Sequence, residues 1–232
     1  VWAITTENSD SENPTWSTPT RICDGIMMNK PIVLKSGQWV LPVAQWFKEG
    51  SSGVVSTSDQ GKTWSLTGQA NVPIKDDRSC DEHMIVERTD GSLWMLVRTS
   101  YGIGESVSTD QGKTWSPVAP SPLQHTVSRF FIRRLHSGNL LLVKHGATTE
   151  KTKRSHLTAI LSQDDGKTWE GGLLLDEHLG VSYPDAVQSP DGTISLTYDY
   201  DRRGDKKILL AQFTEDDILQ GACVSDQAKL QI

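Results

Sequence analysis

The 232-residue sequence is poor in several things, and each shortage excludes a class of protein. It has three cysteines, Cys23, Cys80 and Cys223, too few and too scattered for a disulfide framework, and no Cys-x-x-Cys pair points to zinc. Three buried or half-buried thiols are expected instead. No apolar run approaches the ~18 residues of a membrane span; the longest are the size of Leu140-Leu141-Leu142-Val143. Basic residues are outnumbered, 23 against 29 acidic, for a net charge of −6. That removes the basic footprint that general nucleic-acid or anionic-membrane binding requires. Helical periodicity is nearly absent. The exception is Thr214-Glu215-Asp216-Asp217-Ile218-Leu219, where Thr214 is placed to cap a short helix. No charged-then-apolar leader opens the chain, which starts Val1-Trp2-Ala3-Ile4 and reads as a processed chain or a piece of a longer one. Against these shortages stand eight tryptophans and a 36% hydrophobic content, enough for a core and contrary to disorder.

The strongest feature is a repeat. Thr57-Ser58-Asp59-Gln60-Gly61-Lys62-Thr63-Trp64, Ser108-Thr109-Asp110-Gln111-Gly112-Lys113-Thr114-Trp115 and Ser162-Gln163-Asp164-Asp165-Gly166-Lys167-Thr168-Trp169 nearly coincide, and a worn copy survives as Thr15-Trp16-Ser17. Trp16, Trp64, Trp115 and Trp169 are 48, 51 and 54 residues apart. Two-residue turn signals run in step at Ser36-Gly37, Asp90-Gly91, Ser137-Gly138 and Asp191-Gly192. They are flanked by strand-like runs, such as residues 84–88 with 93–99 and 130–135 with 140–143. A third strand follows each pair, as at 105–108 and 157–162, and leads into the next Asp-Gly-Lys-Thr-Trp turn. Four short strands in about 51 residues is the content of one β-propeller blade, so the fold class expected is all-β, with four-stranded antiparallel blades.

The box itself reads as structure. Its Asp can accept backbone N–H bonds within the turn, its Gly supplies a positive φ, and its Trp can bury a large area. The Gly-Lys-Thr portion is not a phosphate loop, because the earlier glycine such a loop needs is replaced by Ser56, Val107 and Leu161. Nor do the turns carry the spaced acids and terminal Glu of a calcium loop.

The box pattern (Ser/Thr)-x-Asp-x-Gly-x-Thr-Trp resembles the Asp-box (BNR repeat) of the sialidase, or neuraminidase, superfamily. Further residues follow that family's order: Glu82 before the Asp90-Gly91 turn, Arg98 at the end of the next strand, Arg154 ahead of the strand entering the box at Ser162, and Tyr183 before the last hairpin, whose second strand ends in Tyr198-Asp199. The resemblance implies a six-bladed propeller of which residues 1–232, one domain, supply about 4.5 blades at about 51 residues each, matching the C-terminal two-thirds of a catalytic domain. A more compact five-bladed ring is the alternative count. The implied activity is a retaining exo-α-sialidase, in which Tyr183 is the nucleophile, Glu82 its base partner, and Arg98 and Arg154 hold the substrate carboxylate. A carboxylate nucleophile would be repelled by a sialic acid, which carries its own carboxylate on the anomeric carbon; a phenol is not. The family's remaining arginine and its acid/base Asp belong to a first blade that these residues do not match.

Arg129, Arg133 and Arg134 rival Arg154 but rank below it, since they open a blade's first hairpin instead of preceding its third strand. His83, His145, His156 and His178 show no metal-like pairing, and no cofactor or metal is implied. The partner expected is a sialylated or other acidic glycan, with no nucleic acid and no membrane span; a second chain or a preceding segment would close the ring. Secretion or a periplasmic location follows only from the resemblance. Two other functions stay open: a non-catalytic Asp-box propeller that binds glycan or protein, and a glycosidase or lyase for a different acidic sugar.

Overall fold

A computed structural model of the chain describes residues 1–147 and 149–232. Its strands form antiparallel sheets in sequence order. The first is a two-stranded piece, β1 (Trp2–Ala3) with β2 (Thr20–Arg21). Next come three four-stranded blades. The first contains β3 (Ile32–Val33), β4 (Trp39–Ala44), β5 (Ser52–Thr57) and β6 (Ser65–Ala70). The second contains β7 (Asp81–Glu87), β8 (Leu93–Thr99), β9 (Gly102–Ser108) and β10 (Ala119–Pro120). The third contains β11 (Phe131–Arg134), β12 (Leu140–His145), β13 (Leu157–Ser162) and β14 (Glu170–Asp176). A three-stranded blade, β15 (Val181–Gln188), β16 (Ile194–Tyr200) and β17 (Lys207–Phe213), precedes helix α1 (Glu215–Gln220). This is the all-β propeller architecture that the repeat predicts.

The blades stack because their middle strands are apolar on both faces. Every residue of β8, β12 and β13 is buried, since the sheets stack face to face and leave no wet side. One apolar cluster runs through three blades, joining Trp94 and Leu96 to Leu141 and Leu161 and on to Leu196 and Phe213. A smaller cluster joins the first two blades through Val40, Val54, Met95 and Val97.

The up-down strand order puts the first-hairpin turns and the three Asp-boxes at one end of the blades and the remaining connections at the other. The three boxes are built alike. Asp59 Oδ1 accepts from the Thr63 amide at 2.9 Å and Asp59 Oδ2 from the Thr63 hydroxyl at 2.7 Å. Asp110 with Thr114 and Asp164 with Thr168 repeat both bonds. These bonds hold the Asp110 carboxyl down to about 2, the Thr114 hydroxyl contributing most. The box Trp side chains are only half-buried. Trp64 and Trp115 donate Nε1–H to the carbonyls of Gly61 and Gly112, so they close the turn more than they fill the core.

Thr214 caps α1 in a reciprocal box with Asp217, and Gly221 ends the helix at φ 65°. Cys23 and Cys80 are half-buried, but Cys223 is exposed, contrary to the expectation for all three thiols: it lies beyond α1, outside the stacked blades.

Candidate functional site

In two blades the first strand breaks its ladder at the loop end. In β7 the register jumps from Asp81 opposite Arg98 to Met84 opposite Leu96, so Glu82 and His83 face a single residue of β8. In β15 it jumps from Ser182 opposite Asp199 to Asp185 opposite Thr197, so Tyr183 and Pro184 face one residue of β16. Each is a β-bulge, and a bulge re-aims a side chain. The second is forced in part by Pro184, which has no N–H to give a ladder. Glu82 has φ 41° and Tyr183 φ 56°, left-handed values that cost a side-chain-bearing residue about 1–3 kcal/mol.

The bulges turn Glu82 and Tyr183 toward each other across the axis. The Tyr183 hydroxyl donates to Glu82 Oε1 at 3.0 Å. Arg98, from the end of β8, donates Nη1–H to Glu82 Oε2 at 2.6 Å and stands 3.4 Å from the Tyr183 oxygen. Arg154, from the loop before β13, directs Nη2–H to the Val127 carbonyl at 3.2 Å, and Arg98 Nη2 reaches the same oxygen at 3.5 Å. Tyr183, Glu82, Arg98 and Arg154 therefore come together from three blades. Burial and the neighbouring Arg98 and Arg202 charges push the Arg154 guanidinium below its ordinary value, a local excess of positive charge.

The rival arginines go elsewhere. Arg133 lines the space between the inner strands, beside Lys30 and Phe131. Arg134 pairs with Asp165 at 2.5 Å at the box end. Arg129 is fully engaged beneath the site: Nε–H donates to Asn29 Oδ1 at 2.6 Å and Nη1–H to the Pro184 carbonyl at 2.6 Å. Asn29 in turn donates Nδ2–H to the carbonyls of Glu82 at 2.6 Å and His83 at 2.9 Å. One buried chain of bonds thus ties the backbone of the Glu82 bulge to the backbone of the Tyr183 bulge.

Residue-type reasoning misses Asn29 and Arg202 and ranks Arg129 below Arg154, yet the repeat holds a signal for Arg129. Glu82, Arg129 and Tyr183 each stand nine residues before a hairpin glycine, Gly91, Gly138 and Gly192. They are the same position in three successive blades. His125 is a further omission. The His145 Nε2 contact at 2.9 Å is to the Val181 carbonyl, which can only accept, so Nε2 carries the proton. His145 Nδ1 then accepts from His125 Nε2–H at 3.1 Å. Burial pushes His145 down to about 4 and His125 well below its ordinary value, so both are neutral packing groups under the Val181 end of β15. Among the described residues no cluster of His, Cys, Asp or Glu is gathered to hold a metal ion. No described helix is long and apolar enough to cross a membrane.

Residues 1–196 match the BNR repeat-like domain family. The chain belongs to that family. A sialidase from Micromonospora viridifaciens is 28% identical over 155 residues, which is 62% of this chain and 23% of that protein. Among solved structures, a Hadza microbial sialidase superposes with a TM-score of 0.70 at 20% identity, over 90% of this chain and 43% of that one. The intramolecular trans-sialidase of Ruminococcus gnavus gives 0.67 at 22% identity, over 91% of this chain and 50% of that one. An α-L-arabinanase from Penicillium chrysogenum gives 0.57 at 16% identity, over 87% and 64%. These likenesses show the propeller fold. The BNR-family chain spans half or less of the length of the sialidase relatives it matches.

Proposed function

We propose that this BNR propeller carries the larger part of the active site of a retaining exo-glycosidase for terminal sialic acids. The observation that supports it most is the Tyr183 hydroxyl donating to Glu82 Oε1 at 3.0 Å, with two guanidinium groups converging on one oxygen beside it. In this reading Glu82 takes the phenol proton as the Tyr183 oxygen bonds to the anomeric carbon and the aglycone oxygen leaves. Water then attacks the anomeric carbon and gives its proton to the residue that protonated the leaving group, while the glycosyl–tyrosine bond breaks and Glu82 returns its proton to the phenolate. Arg98 and Arg154 hold the sugar carboxylate, the planar fork of each matching its two oxygens. The proton for the leaving group comes from a residue outside 1–232.

The cationic surroundings favour an anionic sugar over a neutral pentose such as arabinose. Three arginines lie around Tyr183, and the carboxylates in contact with them are Glu82 and Asp199. An acid-bearing sugar supplies the missing negative charge; an arabinoside leaves it uncompensated in a partly desolvated site.

The test is release of a fluorogenic aryl group from an α-sialoside by the intact protein, beside an aryl α-L-arabinofuranoside and an aryl β-glucuronide. Cleavage of the sialoside alone, lost in Tyr183→Phe, is expected. Cleavage of the arabinoside in preference, or full sialoside turnover by Tyr183→Phe, refutes the reading.

A further inference from the structure

Tyr183 has a cationic neighbour that the mechanism above leaves unused. The Arg202 guanidinium carbon lies 4.2 Å from the centre of the Tyr183 ring, nearer than Arg154 at 6.0 Å. Although Arg202 stands on a loop, its end is fixed. Its Nη2 is 2.6 Å from Asp199 Oδ2 and donates to Ser182 Oγ at 2.8 Å. Ser182 Oγ donates to Asp199 Oδ1 at 2.8 Å, which closes a triangle. Ser182 and Asp199 face each other in the β15–β16 ladder, and Ser182 is the last paired residue before the bulge that carries Tyr183. The turn bearing Arg202 is braced as well: Asp201 accepts from the amides of Gly204 and Asp205, each at 3.1 Å.

The ladder does not pair Tyr183 or Pro184, so the direction of the phenol depends on what touches the ring. A guanidinium over an aromatic face is attracted by the negative face of the ring, and more so when the ring carries charge of its own. We propose that Arg202 is a positioning residue for Tyr183. Clasped by Asp199 and Ser182, it stacks on the ring, holds the phenol oxygen toward Glu82, and stabilises negative charge developing there as the proton leaves. The proposal rests on the reading of Tyr183 as nucleophile. It assigns Asp199 the task of orienting Arg202, and with both oxygens engaged by Arg202 and Ser182 that acid does not compete with the substrate carboxylate for Arg98 and Arg154.

The experiment has two readouts on the intact protein. The first is kinetic, with the aryl α-sialoside. A misplaced reacting group costs up to about 10²-fold, so Arg202→Met should lower kcat by about 10- to 100-fold and leave KM within about 3-fold. Arg202→Lys keeps the charge but cannot stack flat while bridging two acceptors, and should recover only part of the loss. The second readout needs no activity: the ring signals of protein labelled with 13C-tyrosine, with Tyr183 assigned by the signal missing in Tyr183→Phe. In Arg202→Met the Tyr183 signal should shift and its ring should flip faster. Asp199→Asn should move it in the same direction, and carries the test if Arg202→Met does not fold. Wild-type kcat with an unmoved ring signal overturns the proposal. So does a loss carried by KM alone, which would make Arg202 a substrate-binding residue. If the wild-type protein cleaves no sialoside, the proposed function fails, and the ring signal still decides whether Arg202 positions Tyr183.

Discussion

Arg129→Met tests the clamp beneath the site. Arg129 is 5% exposed and makes two 2.6 Å bonds, to Asn29 Oδ1 and to the Pro184 carbonyl, with Asp185 Oδ1 3.8 Å from Nη2. Methionine has similar length, so little cavity opens; what is lost is polar. Two buried acceptors lose their donor, at about 1–3 kcal/mol each. The half-exposed Asp185 keeps Lys30 at 3.2 Å and adds little. The substitution also removes the desolvation that burial imposes on the guanidinium, which pushes its ionisation below the ordinary value. These terms oppose each other, and the two unsatisfied acceptors leave a net cost of about 2–4 kcal/mol. At about 2–4 °C per kcal/mol for a domain of this size, the melting temperature should fall by about 10 °C. Differential scanning calorimetry at neutral pH measures it. Asn29→Ala removes the two bonds to the Glu82 and His83 carbonyls from the other end and should cost a similar amount. Because the two residues share one bond, the double variant should cost less than the sum of the singles. A melting temperature within about 1 °C of wild type for Arg129→Met would refute the clamp.

Tyr183→Phe should remove nearly all turnover of an aryl α-sialoside while calorimetry still shows free sialic acid binding, since the phenyl ring keeps its shape and only the reacting oxygen is gone. Arg154→Ala should raise KM for that substrate by about 10- to 100-fold, the worth of one hydrogen bond to a charged group, with a smaller change in kcat. Gly166→Ala should destabilise by more than about 1 kcal/mol in urea unfolding, because its φ is 86° and a Cβ there would meet the Trp94 ring at 2.5 Å. Stability should fall as pH drops from about 6.5 to 4: burial pushes His83 and His145 down to about 4, so the unfolded chain binds their protons first, at about 3 kcal/mol each by pH 4. Asp81, raised to about 6 by burial, takes up a proton on folding and offsets part of that loss; flat stability over this range would refute these shifts.

Much of the fold is legible because the boxes and hairpin glycines recur at blade spacing, and a repeat repeats its hydrogen bonds. Residues 157–162 are a strand from sequence and structure alike. The ends of β7 are not legible: residues 84–88 carry the strand-like composition, yet the strand starts at Asp81. Asp81, Glu82 and His83 are polar residues that pair or bulge only because neighbouring blades enclose them. The clamp role of Arg129 escapes residue-type reasoning for a similar reason. Its partners, Asn29 and Pro184, are 100 and 55 residues away, and no local pattern encodes that meeting. Arg202 looks like a surface charge after a strand, in a run with Arg203, and only the folded bulge brings it over Tyr183.

Where the chain departs from its own repeat is also where strain collects. On the box end, Gln60, Gln111 and Asp165 all have φ near 60° at equivalent places, and the three boxes satisfy them with the same bonds. On the loop end the left-handed residues Phe47, Asp81, Glu82, His156, Tyr183, Asp201 and Lys206 share no box-like sequence. A strained backbone persists only where its surroundings over-determine it. For Glu82 and Tyr183 those surroundings are specific: Asn29 and Arg129 hold the two bulges from below, while Arg98 and Arg202 hold the side chains from within and above. At the equivalent position of the blade between them the chain places Arg129, which reaches down to the clamp instead of into the site. One blade position, repeated three times, thus holds an acid, a cation and a phenol. The repeat fixes where those three side chains start, and the bulges and the arginine network decide which two meet.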